Sequence, residues 1–350
     1  MKTKLFLMAI GGCMLILNAC QQKPKQEAAT SAPKATVNDF FGQWTIDVQG
    51  GGVSWLEVRQ EKDYVDADLL WIGGSVSPVS AVYMDNHNHL IVTRIDNVTR
   101  TKDEKNNPLR THQVPNWLQV SREGDKITGY LYRPRRDGSG VDSTGFTGTK
   151  LQAPPAAPDL SKAKFGQPIT LFNGKDLTGW RLIDEKQKNG FFVQDGIMVT
   201  DPKQTEGQPH ISYGNLRTDQ EFEDFNLKLE VNVPEGSNSG VYLRGMYEIQ
   251  VLDSYKKPLD SHNMGALYSR IVPSVNAEKP AGTWQTLDMT LCDRHVTVLL
   301  NGVKIIDNQP IYGPTGGAMK SDVNTPGPIY LQGDHGKVSY RNIVLTPIVK

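Results

Sequence analysis

The residues best equipped for chemistry lie between Asn238 and Asp253. In the run Asn238-Ser239-Gly240-Val241-Tyr242-Leu243-Arg244-Gly245-Met246-Tyr247-Glu248-Ile249-Gln250-Val251-Leu252-Asp253, apolar residues occupy positions 241, 243, 247, 249 and 251. Side chains alternate faces along a strand, so the even positions share the opposite face. That face carries a phenol (Tyr242), a guanidinium (Arg244), a carboxyl (Glu248) and an amide (Gln250). Planar donors and acceptors beside an aromatic ring suit a sugar. The alternative is a solvated outer face with a salt bridge, although such faces more often carry Lys, Thr and Ser. Gly245 marks a turn or bulge that would shift the phase between Arg244 and Glu248.

A second group lies near the C-terminus. In Tyr330-Leu331-Gln332-Gly333-Asp334-His335-Gly336, an inward Leu331 puts Tyr330 and Gln332 on one face, and Asp334 and His335 follow in a glycine-flanked loop. Imidazole titrates near neutral pH, so His335 is read as a general base or metal ligand, the alternative being a turn histidine without a role. Glu248, Asp334 and His335 are candidate ligands for a divalent metal, although no ligand spacing demands one. His262 and Tyr268 flank the glycine-containing segment 263–267 and are read as a rim. His87 and His89 sit among turn residues, which favours a solvated hairpin over a metal site. Trp44, Trp55, Trp71 and Trp117 fall at strand spacing, where tryptophan usually belongs to a core.

Strands must position these groups. The chain has 350 residues, enough for two domains. Its clearest boundary is Ala153-Pro154-Pro155-Ala156-Ala157-Pro158, which anchors an expected linker over 153–164. Short alternating runs with turn signals flank it, and no long amphipathic helix is evident, so the expected class is all-β. Over 37–152 the expected strands are 42–48, 53–60, 64–71, 79–84, 89–95, 117–122, 126–133 and 146–151, a small barrel or sandwich. Phe41-Gly42-Gln43-Trp44 resembles the Gly-x-Trp entry of lipocalin-like barrels. Over 165–350 the expected strands are 191–194, 197–200, 226–233, 240–252, 283–291, 295–300, 329–332 and 338–345, with Asn301-Gly302 as a hairpin turn. Many antiparallel strands in this length suggest a jelly-roll sandwich.

The N-terminus reads as an address. Lys2 and Lys4 precede an apolar run from Leu5 to Leu17, too short to span a bilayer comfortably. Leu17-Asn18-Ala19-Cys20 resembles a lipoprotein lipobox, so residues 1–19 are an expected leader, Cys20 an expected lipid anchor to the membrane, and 20–36 an expected tether in the bacterial cell envelope. Cys292 is then the one thiol left, read as buried and structural rather than nucleophilic. The chain balances 38 Lys and Arg against 38 Asp and Glu, so no basic excess exists to hold a nucleic acid. Loss of the leader leaves two more acids than bases, compatible with a neutral sugar ligand.

Leu171-Phe172-Asn173-Gly174-Lys175-Asp176-Leu177-Thr178-Gly179-Trp180 resembles the opening motif of the 3-keto-disaccharide hydrolase family. Three further segments resemble that family in order: the 238–253 run, Pro273 to Trp284, and Gly327 to Gln332 ahead of Arg341-Asn342-Ile343. The likeness spans about 167–348. It implies a concanavalin A-like jelly roll, a role in sugar breakdown, and glucosides or disaccharides oxidised at C3 as substrates. The residue roles are our own reading. A retaining glycosidase needs two carboxyls about 5–5.5 Å apart. Here Gln250 fills the next same-face position after Glu248, and Asp253 has the opposite parity, so the strand lacks an acid pair. A 3-keto sugar does not require one: its ketone acidifies the C2 hydrogen, and the resulting enolate expels the C1 substituent. His335 or Glu248 would be the base, Arg244 with Gln250 would hold the oxyanion, and Tyr242 or Tyr268 would stand near the leaving oxygen. Gln332, Asp334 and His262 would contact substrate. A jelly roll also serves as a carbohydrate-binding module, so a non-catalytic binding lipoprotein is the competing reading.

Overall fold

The computed structural model describes residues 34–205 and 207–349. The expected leader, the anchor Cys20 and all but the end of the expected tether lie outside the described residues. No helix among the described residues is long and apolar enough to cross a membrane.

The first half is one antiparallel sheet of nine strands. Neighbours in the sheet follow chain order, except that the first strand, Gly42–Val48, also pairs with the last, Val141–Lys150. The edge strands Ser77–Pro78 and Ala81–Met84 are adjacent in sequence, and Val65–Leu70 approaches Ala81–Met84, so the sheet curls toward a barrel. Alternation explains the curl: Trp44, Ile46, Leu56, Val58, Leu118, Val120, Ile127 and Leu131 all turn to one apolar interior. Two strands run well past the expected 89–95 and 117–122, as Leu90–Lys102 and Pro108–Glu123. Their paired far ends are mostly exposed, so no apolar alternation marks them in the sequence. Asp85–His89 is a turn between paired strands, with the Asp85 carboxylate 2.9 Å from His89 Nδ1.

The second half is a sandwich of two antiparallel sheets. The larger carries Phe191–Gln194, Ile197–Thr200, Val338–Val349, Phe225–Asn232, Trp284–Cys292, His295–Leu300 and Val303–Pro310 in that order, with two short strands paired onto Val338–Val349. The smaller carries Trp180–Leu182, Leu216–Thr218, Tyr330–Leu331, Asn238–Leu243 and Tyr247–Leu252. Leu227, Leu229, Val231, Met289, Val296 and Val298 meet Val241, Leu243, Tyr247, Ile249 and Leu331 in a continuous core, the jelly-roll sandwich that the alternation implied. Cys292 is buried at the end of its strand.

The strand expected over 240–252 is a hairpin instead. Asn238–Leu243 and Tyr247–Leu252 pair directly, and Arg244 and Gly245 take φ values of 56° and 66°. Met246 N–H donates to the Leu243 carbonyl at 3.1 Å, which closes a turn with both central residues left-handed, and Leu243 pairs with Tyr247, so 244–246 connect the strands. Asn301-Gly302 closes the same kind of turn with the residue pair that favours it. Arg-Gly is a weaker signal, and the apolar alternation runs straight through it. The linker segment is fastened to the sandwich, since Arg294 donates to the Gln152 carbonyl and Asn308 to that of Pro158.

Candidate active site

The hairpin keeps the polar face together by folding it back on itself. Tyr242 lies directly opposite Glu248 and Gly240 opposite Gln250, so all four share the face turned from the core. On the other side Tyr242 pairs with Tyr330, and their rings stack at 3.8 Å. Tyr242, Glu248 and Gln250 line a cavity of about 320 Å³. Gly316, Gly317, Tyr268, Gln332, Asp334 and His335 complete the part of the lining that bears on the chemistry.

Glu248 is the centre of the arrangement. A Cβ on Gly240 would come 2.4 Å from Glu248 Oε1, so the glycine is what lets the carboxyl lie flat across the neighbouring strand. Glu248 Oε2 is 2.7 Å from the Tyr242 hydroxyl, which is also 2.7 Å from the Gly316 carbonyl. A phenol has one proton to donate, and a carbonyl can only accept. Both contacts are hydrogen bonds when Tyr242 donates to Gly316 and Glu248, protonated, donates to Tyr242. Burial agrees: it pushes the Glu248 carboxyl up to about 8, against the smaller opposing effect of the Tyr242 hydrogen bond. Burial, together with the neighbouring Tyr330 and Glu248, holds Tyr242 well above the ordinary phenol value. Tyr330 donates its own proton to the Gly317 carbonyl at 2.6 Å.

The remaining lining offers acceptors and donors for hydroxyl groups. Asn238 Oδ1 and Gln332 Oε1 are buried without a partner, an arrangement that a ligand hydroxyl would relieve. Gln250 accepts the Val251 N–H with its Oε1, directing its amide as a donor group. Asp334 accepts the Tyr213 N–H at 2.8 Å and so ties two walls together. Desolvation lowers the His335 pKa below the usual imidazole value, with Asp334 opposing it, which favours the neutral base at physiological pH.

The structure therefore gathers Tyr242, Glu248, Gln250, Tyr268, Gln332, Asp334 and His335 around one cavity. Arg244 is not among them. It sits in the hairpin turn and donates to the carbonyls of Val323 and Thr325, so it cannot share an oxyanion site with Gln250 as expected. The turn that the sequence left open is what swings it away. His262 also lies off the lining; its ring meets that of Tyr268 edge-on at 5.0 Å, and its Nδ1 bonds Asp260. The expected metal ligands do not converge either. Among the described residues, the His, Cys, Asp and Glu atoms that lie within 4.8 Å of one another in a group of three belong to Asp224, Cys292 and Asp293, at the ends of two neighbouring interior strands of the larger sheet, not to Glu248, Asp334 and His335.

Sequence reasoning did not anticipate Gly240 as the seat of the carboxyl, the carbonyls of Gly316 and Gly317, or the presence of Gly73 and Gly74 in the lining. The paired glycines 73–74 and 316–317 were the available signal, since such pairs permit close backbone approach. The opening motif proves structural: Trp180 Nε1 donates to the Leu171 carbonyl at 2.6 Å, and Asn173 and Asp176 cap turns.

Comparison with known proteins adds the following. A proposed glycosyl hydrolase from Parabacteroides distasonis is 30% identical, with a TM-score of 0.42, over 55% of this chain and 92% of its own. A second from that organism is 21% identical, with a TM-score of 0.41, over 52% and 94%. SCLam, a non-specific endo-beta-1,3(4)-glucanase from family GH16, is 12% identical, with a TM-score of 0.34, over 56% and 93%. No curated protein sequence matches the chain. The profile of the 3-keto-alpha-glucoside-1,2-lyase-like domain matches residues 167–346. That span is just over half of the chain and contains the cavity hairpin with its Tyr330 neighbour, and by it the chain belongs to the 3-keto-alpha-glucoside-1,2-lyase-like domain family.

Proposed function

We propose that the protein is a glycoside-processing enzyme that cleaves 3-keto-glucosides by elimination. The single observation carrying this reading is the buried Glu248 carboxyl, hydrogen-bonded to Tyr242 and facing a cavity of about 320 Å³, where burial raises its pKa to about 8. A buried acid that keeps its proton at neutral pH is a general acid in waiting. His335, held neutral, is the base. It takes the proton from C2 of a ring carrying a ketone at C3. The electron pair moves onto the C3 oxygen as an enolate, which Gln250 is placed to hydrogen-bond. The enolate then re-forms the ketone while the C1–O bond breaks with its electrons on the leaving oxygen. Glu248 gives that oxygen its proton. The products are an alcohol and a ring with a C1=C2 double bond conjugated to the ketone, to which water can add. One acid and one base suffice, which is in keeping with Gln250 at the position where a second carboxylate would stand.

The test is product analysis by mass spectrometry after incubating the purified chain with 3-keto-glucosides and with the same sugars unoxidised. The expected result is release of the alcohol and of the unsaturated or hydrated keto sugar from the oxidised substrates alone. Equal turnover of unoxidised disaccharides would sink the elimination. Tight binding of sugars with no turnover would identify a carbohydrate-binding module instead.

A further inference from the structure

The cavity is not built by the sandwich alone. One wall comes from the first domain, which lies outside the family match. Ile72, Gly73 and Gly74 have φ values of 42°, 73° and 67°, a left-handed stretch that a β-branched residue enters only under constraint. The constraint is visible, since Ile72 N–H is held by Ser54 Oγ at 3.0 Å. The stretch carries the loop to the cavity as bare backbone. There it meets Gly316, where a Cβ would sit 2.2 Å from the Gly74 carbonyl. Gly316 is also the residue whose carbonyl receives the Tyr242 proton, so the loop rests directly on the lining of the Glu248 site.

Three consecutive residues of the sandwich are then fastened to the same domain. Ser75 Oγ lies 3.3 Å from the Tyr268 hydroxyl and 2.8 Å from His262 Nε2. Val76 N–H donates to Ser269 Oγ at 2.9 Å. The Arg270 guanidinium lies 4.0 Å over the Trp55 ring, with the carboxylates of Glu57 and Asp68 facing it. Tyr268 donates its own N–H to the Glu248 carbonyl at 3.0 Å. A cavity residue is thus held on one side by the catalytic strand and on the other by the first domain. The volume of about 320 Å³ is at the lower end of the roughly 300–1,000 Å³ typical of small-molecule sites.

We propose that the first domain is a working wall of the active site: Gly73 and Gly74 bound the cavity so that one terminal sugar ring enters, and Ser75, which follows them, is a positioning residue for Tyr268. The identity of that ring as a 3-keto-glucose rests on the function proposed above; the wall itself does not. The consequence is exo action, in which an oxidised ring at a chain end enters and an oxidised ring with neighbours on both sides is shut out.

The experiment uses the full chain, as wild type, Ser75→Ala and Ser75→Thr. Ser75→Ala is expected to raise KM for a 3-keto-disaccharide about fivefold to thirtyfold while kcat changes far less, and Ser75→Thr, which keeps the hydroxyl, is expected to restore KM. The wild type is expected to leave intact a trisaccharide oxidised only on its central ring. Hydrogen exchange supplies a readout without substrate: amides of 262–270 should exchange faster in Ser75→Ala while 284–300 stays protected. Cleavage of the centrally oxidised trisaccharide would overturn the one-ring wall. Unchanged KM with unchanged exchange at 262–270, or a fall in apparent kcat alone that tracks the folded fraction, would overturn the positioning role. If the wild type cleaves no 3-keto-glucoside, the functional reading fails, and the exchange arm still decides whether Ser75 holds Tyr268.

Discussion

Glu248 and Arg244 stand four residues apart on one hairpin and are similarly buried, at 4% and 2% exposure. Arg244 spends its charge on fixed partners, the carbonyls of Val323 and Thr325, which clamp the turn to the segment ahead of Tyr330. Glu248 has no cation near it. One oxygen shares a proton with Tyr242, and the carboxyl faces a cavity. Burial alone therefore does not mark a reacting group. A buried charge aimed at backbone acceptors holds structure, whereas a buried acid forced to keep its proton beside an open volume is prepared to give it away.

The largest expected effect falls on the Glu248 side of that contrast. Glu248→Gln should lower kcat/KM for a 3-keto-glucoside by about 10²–10⁴, the usual worth of general acid–base groups, with the fold intact. The same variant has a signature in stability. A carboxyl raised from 4.5 to about 8 by folding contributes stability that is full below about pH 4.5 and is lost as the pH climbs through about 8. Urea midpoints measured across that window should fall with rising pH in the wild type and fall less steeply in Glu248→Gln. An equally steep decline in the variant would place the titration elsewhere.

Arg244→Ala should behave in the opposite way. It strips the Val323 carbonyl of its donor, leaves that of Thr325 to Lys320 alone and opens a cavity, for a loss on the order of 2–4 kcal/mol in unfolding free energy, read by denaturant titration. Activity per folded molecule should stay within a few-fold of wild type. A loss of turnover without a loss of stability would return Arg244 to the site and erase the distinction drawn here.

Tyr242→Phe should produce the smallest change of the three, about tenfold in kcat/KM, because Glu248 keeps its proton without the phenol. Once Glu248 is ionised, the phenol donates to the carboxylate and lowers its pKa, so removing the phenol should carry the alkaline limb of the pH–rate profile further above about 8. A downward shift would mean that the bond favours the protonated carboxyl instead, as it does when Glu248 donates to a phenol that stays turned to the Gly316 carbonyl.

Much of the architecture was legible because strand patterning is local. Gly42–Val48 and Val53–Gln60 match their expected limits, and so do Phe191–Gln194 and Ile197–Thr200, since each has a buried face bounded by turn residues. The far ends of Leu90–Lys102 and Pro108–Glu123 were not legible, because strands exposed on both faces need no alternation. The site divides along similar lines. Tyr242, Glu248 and Gln250 were assigned to one face by parity, and they share it, because a three-residue connection, 244–246, pairs even positions with even. Arg244 followed the same parity and failed, because a turn residue obeys no strand period.

By itself, then, the sequence determined that this is an all-β chain with a sandwich over its second half, and which strand would carry its polar residues. Those properties follow from the period-two repeat and from ordered motifs, each readable within a few residues. Only the tertiary structure decided where the proton sits and what closes the cavity. The Gly316 carbonyl that commits the Tyr242 proton is 74 residues along the chain from it, and Ser75 reaches His262 across 187 residues. Burial and shared protons depend on groups brought together from such distances, and no local pattern encodes them.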